Sequence, residues 1–177
     1  MIDRRRVAVT GIGMMTGLGN TRDEVWASML AGQCGIRDVT GIDGSGYRSR
    51  KVAEVRPYPA DPTVPSKVWR RFSRSDQTAL IASREALADA GVLDGALDPQ
   101  RVGVFFGSGT ADLARNEEWF DEMLRRGLKR AEPRKIFNTF SSTPSDVVAS
   151  HSVLRGRRHR SFPRARPAPS RSATAQA

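Results

Sequence analysis

The chain has 177 residues, enough for one domain with a real hydrophobic core, and its apolar (38%) and charged (27%) fractions are those of a globular protein. A net charge of +10 points to an anionic partner, but residues 1–150 hold 22 basic against 19 acidic side chains while residues 151–177 hold seven Arg and no acid, so the basic character belongs to the tail. One cysteine excludes an internal disulfide framework and a cysteine-rich zinc site, no apolar run is long enough to span a membrane, and the short Gly-broken stretch after residues 4–6 does not make an export signal, so a cytoplasmic chain is expected.

In chain order, residues 6–10 read as a short, β-branched, buried strand. Thr21 and Glu24 form a capping box that predicts a helix from about Arg22. Val25, Trp26, Met29 and Leu30 lie on one of its faces, and Gly32 supplies a left-handed stop. Residues 41–66 are rich in Gly, Pro and Ser, with a short strand "KVAEV" inside. Residues 75–90 predict a second helix with small and apolar residues on its inner side, ending at Gly91. "RVGVFFGSG" (101–109) reads as a second buried strand running into a turn. A third helix is expected over 112–126, with Gly127 as its stop. In "STPSDVVASH", Thr143 is placed as N-cap and Pro144 at the first helical position of a fourth. Strands alternating with helices predict an α/β fold.

The glycine-rich turn "TGIGMMTGLG" after the first strand raises the question of a nucleotide. A dinucleotide fingerprint needs a third Gly for close helix packing, and here Thr16 stands in that place. A phosphate cradle also needs a helix N-terminus directly behind the turn, whereas the predicted helix begins only near Arg22. The expected acidic residue after a second strand is missing, since residues 30–35 read "LAGQCG". These departures favour a structural turn.

Other segments carry a family resemblance. "RRVAVTGIGMMTGLGN" followed by "VWASMLAGQCGI", then "WRRFSRSDQTALIASREALADAG", "RVGVFFGSG" and "VVASHSVLRG" resemble, in order and with few gaps, the N-terminal part of the β-ketoacyl-acyl-carrier-protein synthases, the condensing enzymes of the thiolase-like fold. Gly17 departs from the family's usual Pro. The resemblance runs from about Arg5 to Gly156 and implies an incomplete first half of a thiolase-like layered fold (helix/sheet/helix). Strands 6–10 and 101–108 would be sheet neighbours, and helices 22–31 and 76–90 would pack on or beside them. Residues 1–156 are expected to form the partial synthase domain and residues 157–177 a disordered Arg/Pro/Ala/Ser tail.

The resemblance also implies a chemistry. In the family a Cys at a helix N-terminus takes an acyl group as a thioester. Two His stabilise the enolate formed when a malonyl thioester loses carbon dioxide, and the carbanion attacks the acyl-enzyme. No catalytic residue of this set has a place in the chain, and no metal or other cofactor is implied. Cys34 occupies the family's "AGxSGI" position behind a helix C-terminus, where the dipole opposes thiolate formation. His151 on the last helix and His159 in the tail read as solvent-facing or incidental. Ser108 in "GSG" has no Asp or His partner with an identifiable place. Thr110 matches the position where the family carries a residue gating the acyl pocket, and is the one candidate substrate-binding residue. The partners implied are an acyl carrier protein and a second copy of the chain. Dimerisation is in doubt because the dimer strands surround the missing nucleophile segment, and the exposed half-core is expected to aggregate. No membrane partner is expected.

The tail "RGRRHRSFPRARPAPSRSATAQA" admits two readings. One is a basic arm on a non-catalytic binding module, contacting nucleic acid or an acidic carrier protein, with nucleic acid the less favoured. The other is a slipped reading frame. Read one nucleotide earlier, each codon becomes an unknown base followed by the first two bases of the printed codon. The codon of Arg157 then allows Pro, those of Ser161 and Phe162 allow Val, and that of Pro163 allows Ser. Those of Arg164 and Ala165 allow Ala and Cys, and those of Arg166, Pro167, Ala168 and Pro169 allow Ala, Ser, Gly and Ala. The result, "L-R-G-P-x-x-x-V-V-S-A-C-A-S-G-A", is the family's nucleophile motif.

Overall fold

The computed structural model describes residues 6–93, 98–107, 113–132, 140 and 142–152. Its first helix, α1 (Arg22–Leu30), starts where its polar residues permit: the Thr21 hydroxyl accepts the Glu24 amide at 3.2 Å. The Glu24 carboxylate reaches back one residue further than an ordinary capping box and accepts the Asn20 amide at 2.8 Å. Gly32, at φ +65°, ends α1 in the left-handed region. Of the predicted apolar face only Val25 is buried, and Trp26, Met29 and Leu30 are exposed.

A short antiparallel ribbon follows, β1 (Arg37–Asp38) against β2 (Lys51–Val52), with Arg37 opposite Val52. Only the first two residues of the predicted "KVAEV" strand pair. The single turn α2 (Ser66–Trp69) leads into α3 (Arg74–Asp89). At the start of α3 a full capping box forms: Ser73 Oγ accepts the Asp76 amide at 3.1 Å and Asp76 Oδ2 accepts the Ser73 amide at 2.9 Å. A 3-10 turn at Pro99–Arg101 precedes the segment containing Val104. Helix α4 (Leu113–Arg126) and helix α5 (Thr143–His151) complete the order. The N-cap of α5 is Ser142 rather than Thr143, one residue earlier than expected, and the Thr143 hydroxyl donates instead to the Phe140 carbonyl at 2.8 Å.

The core forms where α3 and α5 pack together. Leu80, Ala79, Val147, Val148 and Ala149 meet Val64, Trp69, Phe72 and Val104 there. Trp69 and Phe72 close one side edge-to-face, with ring centroids 6.1 Å apart. In the second predicted strand Val104 is buried, Phe105 is exposed and Phe106 packs partly on the core, the alternation expected of extended chain.

Residues 6–10 depart from the reading of a buried strand. Val7 is 92% and Val9 82% exposed, and no strand among the described residues pairs with residues 6–10. A buried strand needs partners for its amides and cover on both faces, and among the described residues neither is supplied. The expected adjacency of strands 6–10 and 101–108 is likewise not formed among them. No described helix is long and apolar enough to cross a membrane.

The opening glycines serve contact with α3. A Cβ on Gly13 would overlap the Ala82 carbonyl oxygen and lie 2.8 Å from the Ala86 amide nitrogen. One on Gly11 would overlap the Ala86 carbonyl oxygen and lie 2.7 Å from the Ala90 amide nitrogen. The turn therefore lies directly on the Ala82–Ala86–Ala90 stripe of α3, and only Gly fits that approach.

Candidate functional site

The amides of the glycine turn are the groups a phosphate would use, and α3 already occupies them. Glu85 accepts the amides of Met14 (2.8 Å) and Arg22 (2.7 Å), and Asp89 accepts that of Ile12 (3.0 Å). The Arg22 guanidinium pairs with Asp89 as well. Two carboxylates of the chain itself thus fill the anion-binding role of the turn and of the α1 N-terminus. An added phosphate would meet like charge there.

The Arg22 guanidinium and the Ile12 amide hold the Asp89 carboxyl below the usual carboxylate range. The Thr40 hydroxyl and the Gly41 amide, with the Thr40 amide, do the same for Glu54. A carboxylate whose folded pKa is depressed binds fewer protons folded than unfolded, so its stabilisation is complete above the ordinary carboxylate pKa of about 4 and fades as pH falls through the folded value. The urea midpoint is expected to be level from neutral pH to about 5 and to fall below about 4. Replacing Asp89→Asn and Glu54→Gln together should make that acid limb shallower, with the part due to Asp43, held low by the Ser45 amide and hydroxyl, remaining, which a pH series of urea midpoints checks.

The helix that leads to the expected nucleophile motif is α5. Pro144 in its first turn needs no amide partner, and Ser145 Oγ donates to the Ser142 carbonyl at 2.7 Å. Pro144, Ser145, Val147, Val148 and Ala149 are buried, which fixes the face turned to α3. At its far end His151 is half-buried rather than solvent-facing. Its ring meets Phe72 edge-on at 5.1 Å, and Nδ1 lies 3.0 Å from the Val147 carbonyl. The reason is Phe72, which α2 places beside the last turn of α5 as an apolar wall.

Arg84 of α3 ties that end down. Its Nη2 donates to the His151 carbonyl at 3.1 Å, Nη1 donates to Asp61 Oδ1 at 3.1 Å, and Nε lies 3.1 Å from Oδ2. The Asp61 side chain is 5% exposed, and Oδ1 also accepts the Thr63 amide (2.9 Å) and hydroxyl (2.6 Å). The guanidinium is therefore held by a carboxylate that is itself held and by a helix carbonyl, while Nε, though near Oδ2, makes no hydrogen bond. Sequence reading missed this pair. "DPT" at 61–63 signals an Asx turn, but nothing in the sequence joins it to Arg84, 23 residues away.

Of the residues singled out from the sequence, Ser108, Thr110 and His159 lie outside the described residues. Cys34 is exposed in the turn behind α1, where the Gln33 amide closes on the Ser28 carbonyl at 2.9 Å. A groove of about 620 Å³ lies between the ribbon and the start of α3, walled by Gly35, Arg37, Thr40, Glu54, Arg56 and Arg74. Of the candidate groups that lie among the described residues, neither Cys34 nor His151 lines it.

The family model for the "Beta-ketoacyl synthase, N-terminal domain" matches residues 4–160. The chain belongs to the beta-ketoacyl synthase family. It is 30% identical over 155 residues to the 3-oxoacyl-[acyl-carrier-protein] synthase 2 of Coxiella burnetii, covering 88% of this chain and 37% of that protein. It is 40% identical over 124 residues to the granaticin polyketide putative beta-ketoacyl synthase 1 of Streptomyces violaceoruber, covering 70% of this chain and 29% of that protein. Among solved structures it resembles the ishigamide ketosynthase/chain length factor, with a TM-score of 0.76 and 24% identity over 89% of this chain and 40% of that one. A beta-ketoacyl synthase from Burkholderia phymatum gives a TM-score of 0.70 at 26% identity over 88% of this chain and 38% of that one. The fold is thus the N-terminal part of the thiolase-like ketosynthase fold, and the chain spans less than two fifths of the length of these curated relatives. In this family frame the glycine turn and α1 open the ketosynthase fold.

Proposed function

We propose that the chain is the N-terminal part of a condensing 3-oxoacyl-acyl-carrier-protein synthase whose reading frame slips near codon 157, and that the chain as translated does not condense acyl groups. The observation that carries this is the family-model match over residues 4–160, which ends close to where the out-of-frame codons begin to spell the nucleophile motif. In the intact enzyme a carrier-borne acyl group would pass to the motif's Cys as a thioester, and a malonyl thioester would lose carbon dioxide and attack it. A cytoplasmic setting, a homodimer and an acyl carrier protein as partner belong to the same reading. For the partner, support comes from a neighbour described as a type II PKS acyl-carrier protein in complex with its ketosynthase, with a TM-score of 0.65 at 19% identity over 88% of this chain and 41% of that one. Thr110 is assigned to the acyl pocket. Relatives named as a 3-oxoacyl-[acyl-carrier-protein] synthase and as a polyketide beta-ketoacyl synthase both match, so the substrate class is a carrier-bound acyl thioester.

Without the Cys there is no covalent acceptor, and losing one donor to a developing oxyanion alone costs roughly 10²–10³ in rate. Cys34, exposed behind a helix C-terminus, does not substitute. Two measurements test the reading. Sequencing across codons 150–177 should show one single-base change that restores the motif, and its absence sinks the frame slip. Intact-mass measurement after incubation with an acyl thioester should show no adduct on the printed chain. A stable adduct lost in Cys34→Ala would overturn the inactivity claim, and the frame-restored, full-length protein should acylate and condense.

A further inference from the structure

We propose that the groove between the β1–β2 ribbon and the start of α3 binds a small organic oxyanion, a phosphate monoester or a carboxylate on an apolar body, with the Arg56 guanidinium as its anchor. The proposal stands apart from the condensing reading, since no residue in it belongs to the nucleophile motif.

At about 620 Å³ the groove has the size of a small-molecule site. Three guanidinium groups line it, and they differ in what they already hold. Arg74 is engaged: Nη2 donates to the Val55 carbonyl at 2.7 Å, and the guanidinium lies over the Tyr58 ring, 5.6 Å from its centroid. Arg37 is exposed on β1. Arg56 is half-buried, its Nε is shut off from water and meets no acceptor, and no carboxylate among the described residues pairs with it. Two carboxylates line the same groove, and both are taken. Glu54 accepts the Thr40 hydroxyl at 2.7 Å and the Gly41 amide at 3.1 Å, and Asp38 pairs with Lys51 Nζ at 2.9 Å. A cation partly withdrawn from water without a counter-charge lowers stability until something outside the chain supplies that charge. An oxyanion supplies it, and an acceptor with two oxygens suits the fork of a guanidinium. Arg37 and Arg74 add to the attraction, and the same three charges repel a metal cation. Ile42, Val55 and Pro57 give the groove apolar wall for the body of the ligand. Because nothing in the chain pairs with Arg56, removing its charge in the absence of an anion removes a cost and breaks no contact.

The test uses the chain itself as wild type, Arg56→Met, Arg37→Met and the control Arg101→Met, which removes an exposed Arg outside the groove. The probes are phenyl phosphate, benzoate and benzyl alcohol, which share a ring and differ in head group, in a low-salt buffer free of phosphate and carboxylate. Amide shifts of the ¹⁵N-labelled protein locate binding and their titration gives Kd, while urea midpoints report stability. Both anions are expected to bind saturably with shifts at Thr40, Gly41 and Val55, and benzyl alcohol at least tenfold more weakly. Arg56→Met should bind the anions at least tenfold more weakly, with a urea midpoint in plain buffer equal to or above that of wild type. Saturating phenyl phosphate should raise the midpoint of wild type and leave that of Arg56→Met unchanged. Arg37→Met should bind at least threefold more weakly and Arg101→Met within twofold of wild type. The tighter of the two anions then identifies the head group as phosphate or carboxylate. Shifts that are absent, or confined to the Arg-rich residues 157–177, overturn the proposal. So do anion binding in Arg56→Met or in Arg37→Met within twofold of wild type, and benzyl alcohol binding as tightly as the anions. An Arg56→Met protein that is destabilised in plain buffer overturns it too, because the guanidinium would then serve the fold.

Discussion

Gly13→Ala is expected to destabilise the chain by about 3 kcal/mol, at the upper end of what overpacking costs. The new methyl group would overlap the Ala82 carbonyl oxygen and crowd the Ala86 amide nitrogen, both backbone atoms of α3 that have no rotamer to yield. Relief requires the turn to lift off the helix. Lifting it strains the bonds from the Ile12 amide to Asp89 and from the Met14 amide to Glu85. Gly11→Ala should behave alike, since it meets the next turn of the same helix at Ala86 and Ala90. Gly46→Ala is the control: nothing lies within 4 Å of its Cβ position, and the change should stay within about 0.5 kcal/mol. Urea unfolding followed through tryptophan emission measures all three. A Gly13→Ala midpoint equal to wild type would mean that the turn does not lie on α3.

Leu80→Ala is expected to cost about 2–5 kcal/mol, the range for a fully buried Leu. Leu80 is 0% exposed and sits where α3, α5, Trp69 and Phe72 meet. Trp69 and Phe72 are stiff and ring-locked edge-to-face, so the cavity has little chance to collapse, which argues for the upper half of that range. Leu124→Ala, on a side chain 79% exposed, should change the midpoint by less than about 0.5 kcal/mol. The same two variants followed by amide exchange should show protection lost in α3 and α5 for Leu80→Ala alone. Equal effects at the two positions would place the core elsewhere.

These two substitutions also show which features of the chain are sequence-local. The helix signals are local, and they were legible. Thr21 and Glu24 start α1, Gly32, Gly91 and Gly127 stop α1, α3 and α4 at positive φ, and Pro144 marks the first turn of α5. The order of motifs carried the family, because each is a short stretch whose chemistry is set by its own neighbours. The departure of the glycine turn from a phosphate loop was also readable, from Thr16 in the third glycine's place. That α3 fills the amides of that turn was not. Glu85 and Asp89 lie more than 70 residues from Met14 and Ile12, and no local pattern pairs them.

Tertiary structure alone decided what those signals could not. An apolar alternation predicts that residues 6–10 and the face of α1 want burial, but burial needs a partner surface. Among the described residues Val7, Val9, Trp26 and Leu30 have none. It also set His151, which the sequence reading gave as solvent-facing or incidental, half-buried against Phe72, and it created the Arg84–Asp61–His151 contact from three segments with no shared motif. The sequence by itself determined four of the helices, their ends to within a residue or two, and the family, because capping and glycine stops act over three or four residues; the single turn α2 carries no such signal. Which apolar faces are covered and which charges meet was left to the packing of α3 on α5, because burial and ion pairing depend on groups brought together across the whole chain.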